Sequence, residues 1–392
     1  MPEPDKISEF SPSELARYSR HILLPEVGSA GQLKLKKARV LIVGAGGLGS
    51  PAALYLTAAG VGTIGIIDDD AVDLSNLQRQ VIYTASDVGQ LKANSAAARM
   101  SALNSETQII ALPEKITAAN ARQIIGAYDI VIDGTDNFST RYLVNDACVM
   151  LGKPYIYGAI FRFEGQVSFF NPTAGCYRCL FPKAPPAETI PNCAEGGVLG
   201  VLPGIIGMLQ ATEAIKWILG IGDLLIGRLL LYNSLPMTFD ELKIGRDKSC
   251  ALCGDNPTIK ALVEENIVCA SQYSDKELTS TSTSTSTSNT ISARELSQLL
   301  SHDNAPLLLD VRRGDEYILG NLPDSVLIPV DELEMRLDVL DKDKDIVVYC
   351  KSGARSRRAE EILLAAGFKN VRHLTGGIMS WAQEVDPSVG VR

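Results

Sequence analysis

The sequence predicts an α/β protein with a mainly parallel, doubly wound sheet in its first part and a smaller α/β domain in its last part. Residues 39–43 form a buried apolar run that leads through a glycine turn into a helical segment, and residues 65–67 give the next strand. A strict Thr-Ser alternation at 279–288 separates this part from a second set of short apolar strands. Because strands that alternate with helices form parallel sheets, these observations predict the fold class.

Length, charge and cysteine content limit the possible functions. The chain has 392 residues, more than a single domain usually has, so two hydrophobic cores are expected. The formal net charge of −9 argues against nucleic acid as the main ligand, because phosphate binding needs a basic stripe. The N-terminus lacks the pattern of a signal peptide and no run is long and apolar enough to cross a membrane, which predicts a cytoplasmic protein. Eight cysteines in such a chain indicate metal or redox chemistry more than disulfides.

The elements of the first domain follow from helix caps and hydrophobic runs. Ser11-Pro-Ser-Glu14 is a capping box with Pro at the first helical position, so a helix is predicted to begin there. The strand at 39–43, the helical run at 50–59 and the strand at 65–67 form a βαβ unit. Further strand candidates, which complete the predicted sheet, are Ile130-Val-Ile132 and Val167-Ser-Phe-Phe170.

The Thr-Ser segment has no apolar face to bury, so it is predicted to be a flexible tether, although an inert spacer fits the composition equally well. The predicted boundaries are a first domain at 1–270, a linker at 271–290 and a second domain at 291–392. Ser292-Ala-Arg-Glu295 is another capping box, and residues 306–309 and 346–349 are short apolar strands. These elements suit a compact α/β domain of about 100 residues.

A nucleotide site is predicted at the glycine turn. Gly44-Ala-Gly-Gly-Leu-Gly49 follows a strand and opens a helix, where backbone amides can approach a phosphate. Asp68 ends the next strand, where its carboxylate can accept hydrogen bonds from ribose hydroxyls. Both features suit NAD as well as ATP. The stretch Asp73-Leu-Ser-Asn-Leu-Gln-Arg-Gln80, with Lys92 beyond it, favours ATP. The positive charges of Arg79 and Lys92 suit a departing pyrophosphate, and a nicotinamide site does not need them.

With these motifs the chain resembles the ThiF/MoeB family, bacterial relatives of the ubiquitin-activating enzymes, over about residues 15–242. The resemblance implies a Rossmann-like adenylation domain that uses ATP and Mg²⁺ to adenylate the C-terminal glycine of a ubiquitin-like (MoaD/ThiS-like) sulfur-carrier protein. It implies that Asp136, in Gly134-Thr-Asp-Asn137, holds the magnesium ion, and that Arg20 reaches the nucleotide across a homodimer interface. The other nucleotide contacts that it implies are Gly44, Gly46, Gly47, Gly49, Asp68, Ser75, Asn76, Leu77, Gln78, Arg79, Lys92 and Asn137.

The cysteines fall into distinct groups. Cys176-Tyr-Arg-Cys179 and Cys250-Ala-Leu-Cys253 can together form a tetrahedral, structural Zn²⁺ site, with a redox dithiol or plain buried cysteines as alternatives. Cys193 lies in a glycine-bearing loop; the resemblance implies a thioester or acyl-disulfide role, and a structural loop cysteine is the alternative. Cys148 lies in an apolar helical run and is predicted to be a core residue, while Cys269 has no assigned role.

The motif Cys350-Lys-Ser-Gly-Ala-Arg355 follows a strand and leads into a helix. A thiolate there is favoured by a ring of backbone amides and by Arg355. The loop resembles that of the rhodanese family, and the resemblance covers about residues 291–384. The supporting matches are Asp310-Val-Arg312, Glu316 and Gly376-Gly-Ile-Met-Ser-Trp381.

Two details of this domain bear on its substrate. Four residues separate Cys350 from Arg355, whereas tyrosine-type and Cdc25-type phosphatases have five, so the smaller loop suits a persulfide sulfur better than a phosphate. Many rhodaneses have Gly-His-Ile-Pro-Gly-Ala where this chain has Gly320-Asn-Leu-Pro-Asp-Ser325, which leaves the substrate preference open.

The predicted cycle joins both domains. An acyl-adenylate forms on the carrier, and Cys350, loaded as a persulfide by thiosulfate or a cysteine desulfurase, attacks it. Reduction of the acyl disulfide, with Cys193 as a candidate thiol, releases a thiocarboxylate. The carrier's pathway stays open among molybdopterin, thiamine, tRNA thiolation and cysteine synthesis.

Two other functions fit part of the sequence. One is an adenylation-only enzyme or scaffold whose rhodanese domain binds or relays sulfur without being required. The other is an NAD-dependent oxidoreductase with a rhodanese-like tail, which leaves Arg79, Lys92 and Asp136 without a role. The histidines His21, His302 and His373 form no triad or metal pair in the sequence and are predicted to be structural.

Overall fold

A computed structural model of the chain describes residues 4–184, 197–264, 290–302 and 305–389. The chain divides into two compact units, Met1–Ile267 and Val268–Arg392. The predicted linker at 271–290 lies outside the described residues except for Thr290, which is the first residue of a strand. The exact domain boundaries stay a prediction. Within the described ranges, no helix has the length and apolar character needed to span a membrane.

The first unit contains an eight-stranded mixed sheet in the order β3-β2-β1-β4-β5-β6-β7-β8. Its strands are β1 (Arg39–Val43), β2 (Thr63–Ile67), β3 (Gln108–Leu112), β4 (Ile130–Asp133), β5 (Tyr155–Phe161), β6 (Glu164–Phe170), β7 (Arg228–Asn233) and β8 (Thr238–Lys243). Strands β1 to β5 are parallel, as predicted, and β6 to β8 extend the sheet by antiparallel pairing. The predicted class is therefore confirmed, with four strands, β3, β5, β7 and β8, that the sequence patterns did not indicate.

The helices of this unit are α1 (Pro12–Ile22), α2 (Gly28–Lys37), α3 (Gly49–Ala59), α4 (Lys92–Leu103), α5 (Ala121–Gly126), α6 (Phe138–Leu151), α7 (Tyr177–Leu180) and α8 (Leu202–Leu219). The predicted capping box starts α1: the Glu14 N–H donates to Ser11 Oγ at 3.1 Å, and the Ser11 N–H donates to the Glu14 carboxylate at 2.8 Å. This reciprocal pair satisfies two backbone donors that a helix start otherwise leaves open.

Alternate residues of β1 point to opposite faces of the sheet and enter two different cores. Val40 and Ile42 pack with Leu56 of α3 in one core. Leu41 and Val43 pack in the other core, which also contains Tyr142 and Leu143 of α6. Both faces are thus covered by helices, as expected for a doubly wound sheet.

The second unit has a five-stranded parallel sheet in the order β11-β10-β12-β13-β9. Its strands are β9 (Thr290–Ile291), β10 (Leu307–Asp310), β11 (Val326–Leu327), β12 (Asp345–Tyr349) and β13 (Asn370–Leu374), and its helices are α9 (Ala293–Leu300), α10 (Gly314–Leu319), α11 (Ala354–Ala365) and α12 (Gly377–Glu384). Strand β12 lies in the middle of this sheet, and Cys350 follows its last residue. The predicted capping box at Ser292 is formed.

Candidate active site

The glycine turn after β1 passes across the end of the neighbouring strand β4. In the register of the sheet, Val43 pairs with Asp133, so the residues that follow both strands meet. Gly44 has a φ of +91°, and a Cβ atom there would lie 2.8 Å from Gly134 O. A Cβ atom at Gly49 would lie 1.9 Å from Gly44 O. Only glycine fits this packing. Because these positions carry no side chain, a ligand can approach the backbone of the turn and the start of α3 closely.

Asp68 joins the glycine turn to the loop after β2. Its carboxylate accepts the Ala45 N–H at 2.8 Å and the Asp70 N–H at 2.9 Å. Burial raises the pKa of Asp68, and the positive charge of Lys92 acts in the opposite direction. The nearly buried Lys92 ammonium contacts the exposed Asp70 carboxylate at 2.7 Å. The structure therefore brings Asp68 and Lys92 together beside the turn, as the sequence predicts.

The segment after Asp73 forms a short turn that places Arg79. Asp73 accepts the Ser75 N–H at 2.8 Å, while the Asn76 side chain accepts the Asp73 N–H at 3.2 Å. Arg79 donates to Ser75 O at 3.0 Å, and its Cδ atom lies 3.7 Å from where a Cβ at Gly47 would be. Arg79 is thus brought against the glycine turn, while the side-chain oxygen of Asn76 helps to hold the segment.

Leu77, Gln78 and Gln80 belong to the same segment and have different surroundings. Leu77 is half-buried, and the Gln78 backbone oxygen lies close against Gly200, where a Cβ atom would meet it at 2.4 Å. The sequence prediction did not include Gln80 as a nucleotide contact, yet its side chain is buried and its Nε2 atom faces Gly46. Its position at the end of the motif was the available signal.

Asp136 and Asn137 follow β4 and precede α6. Asp136 is exposed, and the Asn137 side chain caps α6 by accepting the Thr140 N–H at 2.9 Å. Beneath them, the fully buried Asp133 accepts the Thr135 N–H at 2.9 Å and the Thr135 hydroxyl at 2.6 Å. The loop that carries Asp136 therefore lies next to the glycine turn with its backbone fixed. The sequence analysis did not identify Asp133.

Other predicted residues lie elsewhere. Arg20 is exposed on α1, and its reach across a dimer interface stays a prediction. Cys193 lies outside the described residues, as does Cys269, so the role of Cys193 also stays a prediction. His21 contacts Gln32, and His373 pairs with a buried carboxylate, Glu360, in the second unit.

Four cysteines converge into one cluster, as the two Cys-x-x-Cys motifs predict. The Sγ atom of Cys176 lies 4.0 Å from that of Cys179 and 3.8 Å from that of Cys250, and those of Cys179 and Cys253 are 3.3 Å apart. All four lie within 4.8 Å of one another. A tetrahedron of sulfurs bonded to zinc at ~2.3 Å has edges of about 3.8 Å, so the cluster can hold such an ion. The Asp247 N–H donates to the Cys179 sulfur at 3.3 Å, as N–H groups do around metal-bound thiolates.

The chemistry of the cluster also favours a cation. Burial and the neighbouring thiolates raise the pKa of Cys176. At Cys250 burial is outweighed by backbone N–H groups, which lower its pKa. Four adjacent sulfurs can therefore ionise together only with a positive ion among them. Arg178, between the first two cysteines, forms a buried pair with Asp146 of α6 at 2.8 Å, which ties the cluster to that helix. Cys148 is a buried thiol in α6, and burial raises its pKa, in agreement with a core role.

In the second unit, the Cys350 loop is held by the start of α12. The Gly353 N–H donates to Cys350 Sγ at 3.1 Å. The Ile378 N–H donates to Cys350 O at 2.9 Å, and the Met379 N–H donates to Lys351 O at 3.2 Å. The buried sulfur thus accepts one backbone N–H at the end of β12, while the two donors from α12 hold the backbone of the loop; the predicted ring of amides around the sulfur stays a prediction.

Arg355 is paired with a carboxylate from α10. Its two terminal nitrogens donate to Glu316 at 2.6 and 2.8 Å, a bidentate contact. Sequence matching indicated Glu316 only as a supporting residue. The contact shows why it accompanies the loop: it fixes the guanidinium and balances its charge.

The unusual stretch 320–325 is accommodated by specific contacts. Asp324 has a φ of +59° where many rhodaneses have glycine, and Asp is among the few residues that tolerate this conformation. The Ser325 hydroxyl donates to Leu322 O at 2.7 Å and contacts the Tyr349 hydroxyl at 2.8 Å. The Ser325 hydroxyl, which the alanine of many rhodaneses lacks, therefore has hydrogen-bond partners.

Comparison with known proteins identifies the first unit. Residues 18–253, more than half of the 392-residue chain, match the ThiF family. The chain belongs to the ThiF family. Residues 292–384 match the rhodanese-like domain, so this ThiF-family chain carries both of the units that its motifs indicate.

Relatives of this ThiF-family chain share its whole length. It is 43% identical to "Probable adenylyltransferase/sulfurtransferase MoeZ" of Mycobacterium tuberculosis, over 99% of this chain and 98% of that protein. It is 41% identical to "Adenylyltransferase and sulfurtransferase MOCS3" of Aedes aegypti, over 97% of this chain and 90% of that protein. Among solved structures, E. coli MccB with ATP aligns over 61% of this chain and 74% of its own, with 26% identity and a TM-score of 0.53.

Proposed function

We propose that the chain uses MgATP to adenylate the C-terminal glycine of a ubiquitin-like sulfur-carrier protein and then converts that carboxylate to a thiocarboxylate with sulfur from Cys350. The observation that carries the first half is the meeting of the glycine turn, Asp68 and Arg79 at the ends of β1 and β2. The backbone N–H on Cys350 Sγ supports the second half. Family membership and relatives named for both activities make the chain an enzyme.

Adenylation needs positioning more than proton transfer. A C-terminal carboxylate, with a pKa near 3.5, is ionised at neutral pH and attacks the α-phosphorus directly, while the bond to pyrophosphate breaks. Asp68 would bind the ribose, and Arg79 and Lys92 the phosphates. Asp136 would hold the magnesium ion, which neutralises phosphate charge when it is bound. Arg20 would come from a second copy of the chain.

The remaining predicted contacts divide between backbone and side chain. Ser75, Leu77 and Gln78 would shape the turn that presents Arg79 to the nucleotide, and Asn76 would contact a phosphate from the same turn. Asn137 would lie beside the magnesium site as the cap of α6. The four-cysteine cluster would bind Zn²⁺ in a structural role, since a closed set of four thiolates leaves no open position for a substrate.

The sulfur steps balance as follows. The Cys350 thiolate takes the sulfane sulfur of thiosulfate and releases sulfite, which leaves a persulfide. The outer sulfur of that persulfide attacks the carbonyl carbon of the acyl-adenylate, and AMP leaves with the electron pair. A thiol then reduces the resulting acyl disulfide, which gives the thiocarboxylate. Cys193 is the proposed internal thiol, and its disulfide with Cys350 would need an external reductant. A cysteine desulfurase is the alternative sulfur donor.

The test is the intact mass of each candidate Gly-Gly carrier after incubation with the enzyme, ATP, magnesium, thiosulfate and a reductant. We expect a mass gain equal to exchange of one oxygen for sulfur, lost in Cys350→Ala. ATP–pyrophosphate exchange without any such gain would leave an adenylation-only enzyme. The carrier that reacts also identifies the pathway, for which molybdenum cofactor biosynthesis is one candidate.

A further inference from the structure

The magnesium ligand of the proposed function, Asp136, lies on a short loop whose backbone is fixed from below. We propose that Arg141, with Asp133 and Tyr155, is a positioning group that sets where Asp136 stands and therefore how tightly the nucleotide site binds magnesium. The inference rests on the proposed function, because it assigns a second layer of residues to the same site. None of the three touches the nucleotide in this proposal.

Asp133 is the centre of the arrangement. It is the last residue of β4 and is fully buried, so its carboxylate needs several donors. Two come from Thr135, one from Arg141 Nε at 3.3 Å, and one from the Tyr155 hydroxyl of the adjacent strand β5. A carboxylate with this many donors inside the protein is held in one orientation.

Arg141 connects this carboxylate to the loop itself. Its Nη2 atom donates to Thr135 O at 2.9 Å. That oxygen belongs to the peptide bond between Thr135 and Asp136, so Arg141 holds the peptide plane from which Asp136 extends. The guanidinium lies 5.6 Å from the Phe138 ring and 5.1 Å from the Tyr157 ring, which keeps water away from the pair.

The other sides of the loop are closed as well. A Cβ atom at Gly134 would lie 2.7 Å from Gly44 O, so the backbone of the loop packs closely against the glycine turn. The Gln210 side chain of α8 donates to Asp133 O at 2.7 Å, which holds the peptide group before Gly134. On the far side of Asp136, Asn137 is fixed as the cap of α6. Asp136 is therefore an exposed carboxylate between two immobilised peptide groups, which is the arrangement that preorganises a ligand.

The opposite charges of Asp133 and Arg141 should keep these two residues paired whether or not nucleotide is bound. A buried carboxylate and a buried guanidinium each need the other, because either one alone in the interior is strongly unfavourable. The Asp133–Arg141 pair must therefore persist with or without nucleotide. Magnesium then meets Asp136 already in place, and no binding free energy is used to order the loop.

The test compares matched tyrosine variants. Tyr155→Phe removes one donor to Asp133. Tyr142→Phe removes a hydroxyl that donates to Phe181 O at 3.0 Å, from an equally buried site on α6. Both should lower the melting temperature by similar amounts. Only Tyr155→Phe should raise the half-saturating Mg²⁺ concentration for ATP–pyrophosphate exchange, by about threefold, and Arg141→Lys should raise it about tenfold, since lost preorganisation weakens binding.

Binding of Mg²⁺ and ATP, measured by calorimetry without a carrier, separates this inference from the proposed function. Absence of exchange despite Mg²⁺-dependent ATP binding would count against the proposed reaction alone, and the binding constants of the variants would still decide the inference. Folded Tyr155→Phe and Arg141→Lys proteins with the same Mg²⁺ dependence as the unaltered chain would overturn it. A shift of equal size in Tyr142→Phe would also overturn it, because the effect would then follow from lost stability.

Discussion

Glu316 and Arg355 form an ion pair beside the sulfur loop, and the pair has a predictable response to pH. Burial opposes ionisation of Glu316, but the hydrogen bonds and charge of Arg355 outweigh it, so the pKa of Glu316 lies below its usual value of 4.5. A carboxylate with a lowered pKa in the folded state stabilises the fold above its unfolded pKa. This stabilisation is lost as the pH falls through the folded pKa.

Glu316→Gln should therefore lower the stability of the second unit at pH 7 by about 1 kcal/mol, as expected for a charge-assisted contact. The difference from the unaltered chain should shrink below about pH 4, where both proteins carry a neutral side chain. Urea unfolding of the full chain at several pH values measures both effects. Glu332→Gln, at an exposed pair 3.8 Å from Arg336, is the control and should change little. A difference that does not change with pH would argue against the ion pair.

Single residues differ in how far the sequence predicts their environment. Asp68 and Cys350 lie in motifs whose order alone places them at strand ends, and the structure puts them there. Arg141 and Tyr155 could not be predicted, since they look like ordinary members of a helix and a strand. Their meeting at Asp133 depends on how α6 and β5 pack on β4, and no local pattern encodes that packing.

At the level of elements, the start of α12 is shaped to hold the Cys350 loop. Gly377 has a φ of +60°, and a Cβ atom there would lie 2.5 Å from Cys350 O and 2.6 Å from Lys351 O. We therefore expect Gly377→Ala to displace the loop, to lower stability by roughly 2 kcal/mol, and to reduce persulfide formation strongly.

Gly314→Ala is the matched control for this substitution. Gly314 begins α10, and an added Cβ atom would meet nothing within 4 Å. The alanine should therefore be neutral or slightly stabilising. Persulfide loading from thiosulfate, followed by intact mass, compares the two variants. Normal loading in Gly377→Ala would show that the loop does not depend on its close contact with α12.

The strands of the first unit differ in whether a sequence pattern predicts them. Strands β1, β2 and β4 were predicted because they are apolar and end in turns with recognisable residues. Strand β8 was not, because all six of its residues are exposed and its pattern has no buried face. Among the described strands it pairs with β7 alone, so its existence depends on the hairpin and not on a hydrophobic pattern.

For the whole molecule, the cysteine cluster joins segments 74 residues apart in the sequence. A metal there should stabilise the first unit alone. We expect a strong chelator to release one metal ion per chain and to lower the melting temperature of that unit by about 10 °C or more, given that each kcal/mol shifts such a unit by a few degrees.

Scanning calorimetry measures this prediction, because the two compact units should give separate transitions. The transition of the second unit is the internal control and should not move. The Cys148→Ala variant lacks a buried thiol of α6 that is not part of the cluster, so it should keep the bound metal ion. Unchanged melting after complete metal release would mean that the cluster has no structural role.

The two units should also function separately. Residues 1–270 expressed alone should keep ATP–pyrophosphate exchange, and residues 291–392 alone should keep persulfide loading from thiosulfate. Mixed together, they should form thiocarboxylate much more slowly than the intact chain at micromolar concentration, because a tether gives an effective concentration in the millimolar range. Equal rates would mean that the tether contributes nothing to transfer. The division into two units was predictable from the Thr-Ser run, whereas no sequence pattern predicts how the two units are placed relative to each other.

The distance between the two cysteine pairs also determines the order of events while the protein is being made. Residues 176–179 leave the ribosome first and have no partners until residues 250–253 follow, 74 positions later. At typical synthesis speeds this interval lasts roughly 4 to 15 seconds. During that time two thiols of a nascent chain are open to oxidation or to a foreign metal. Oxidative stress or metal shortage should therefore harm newly made chains well before it harms those already folded.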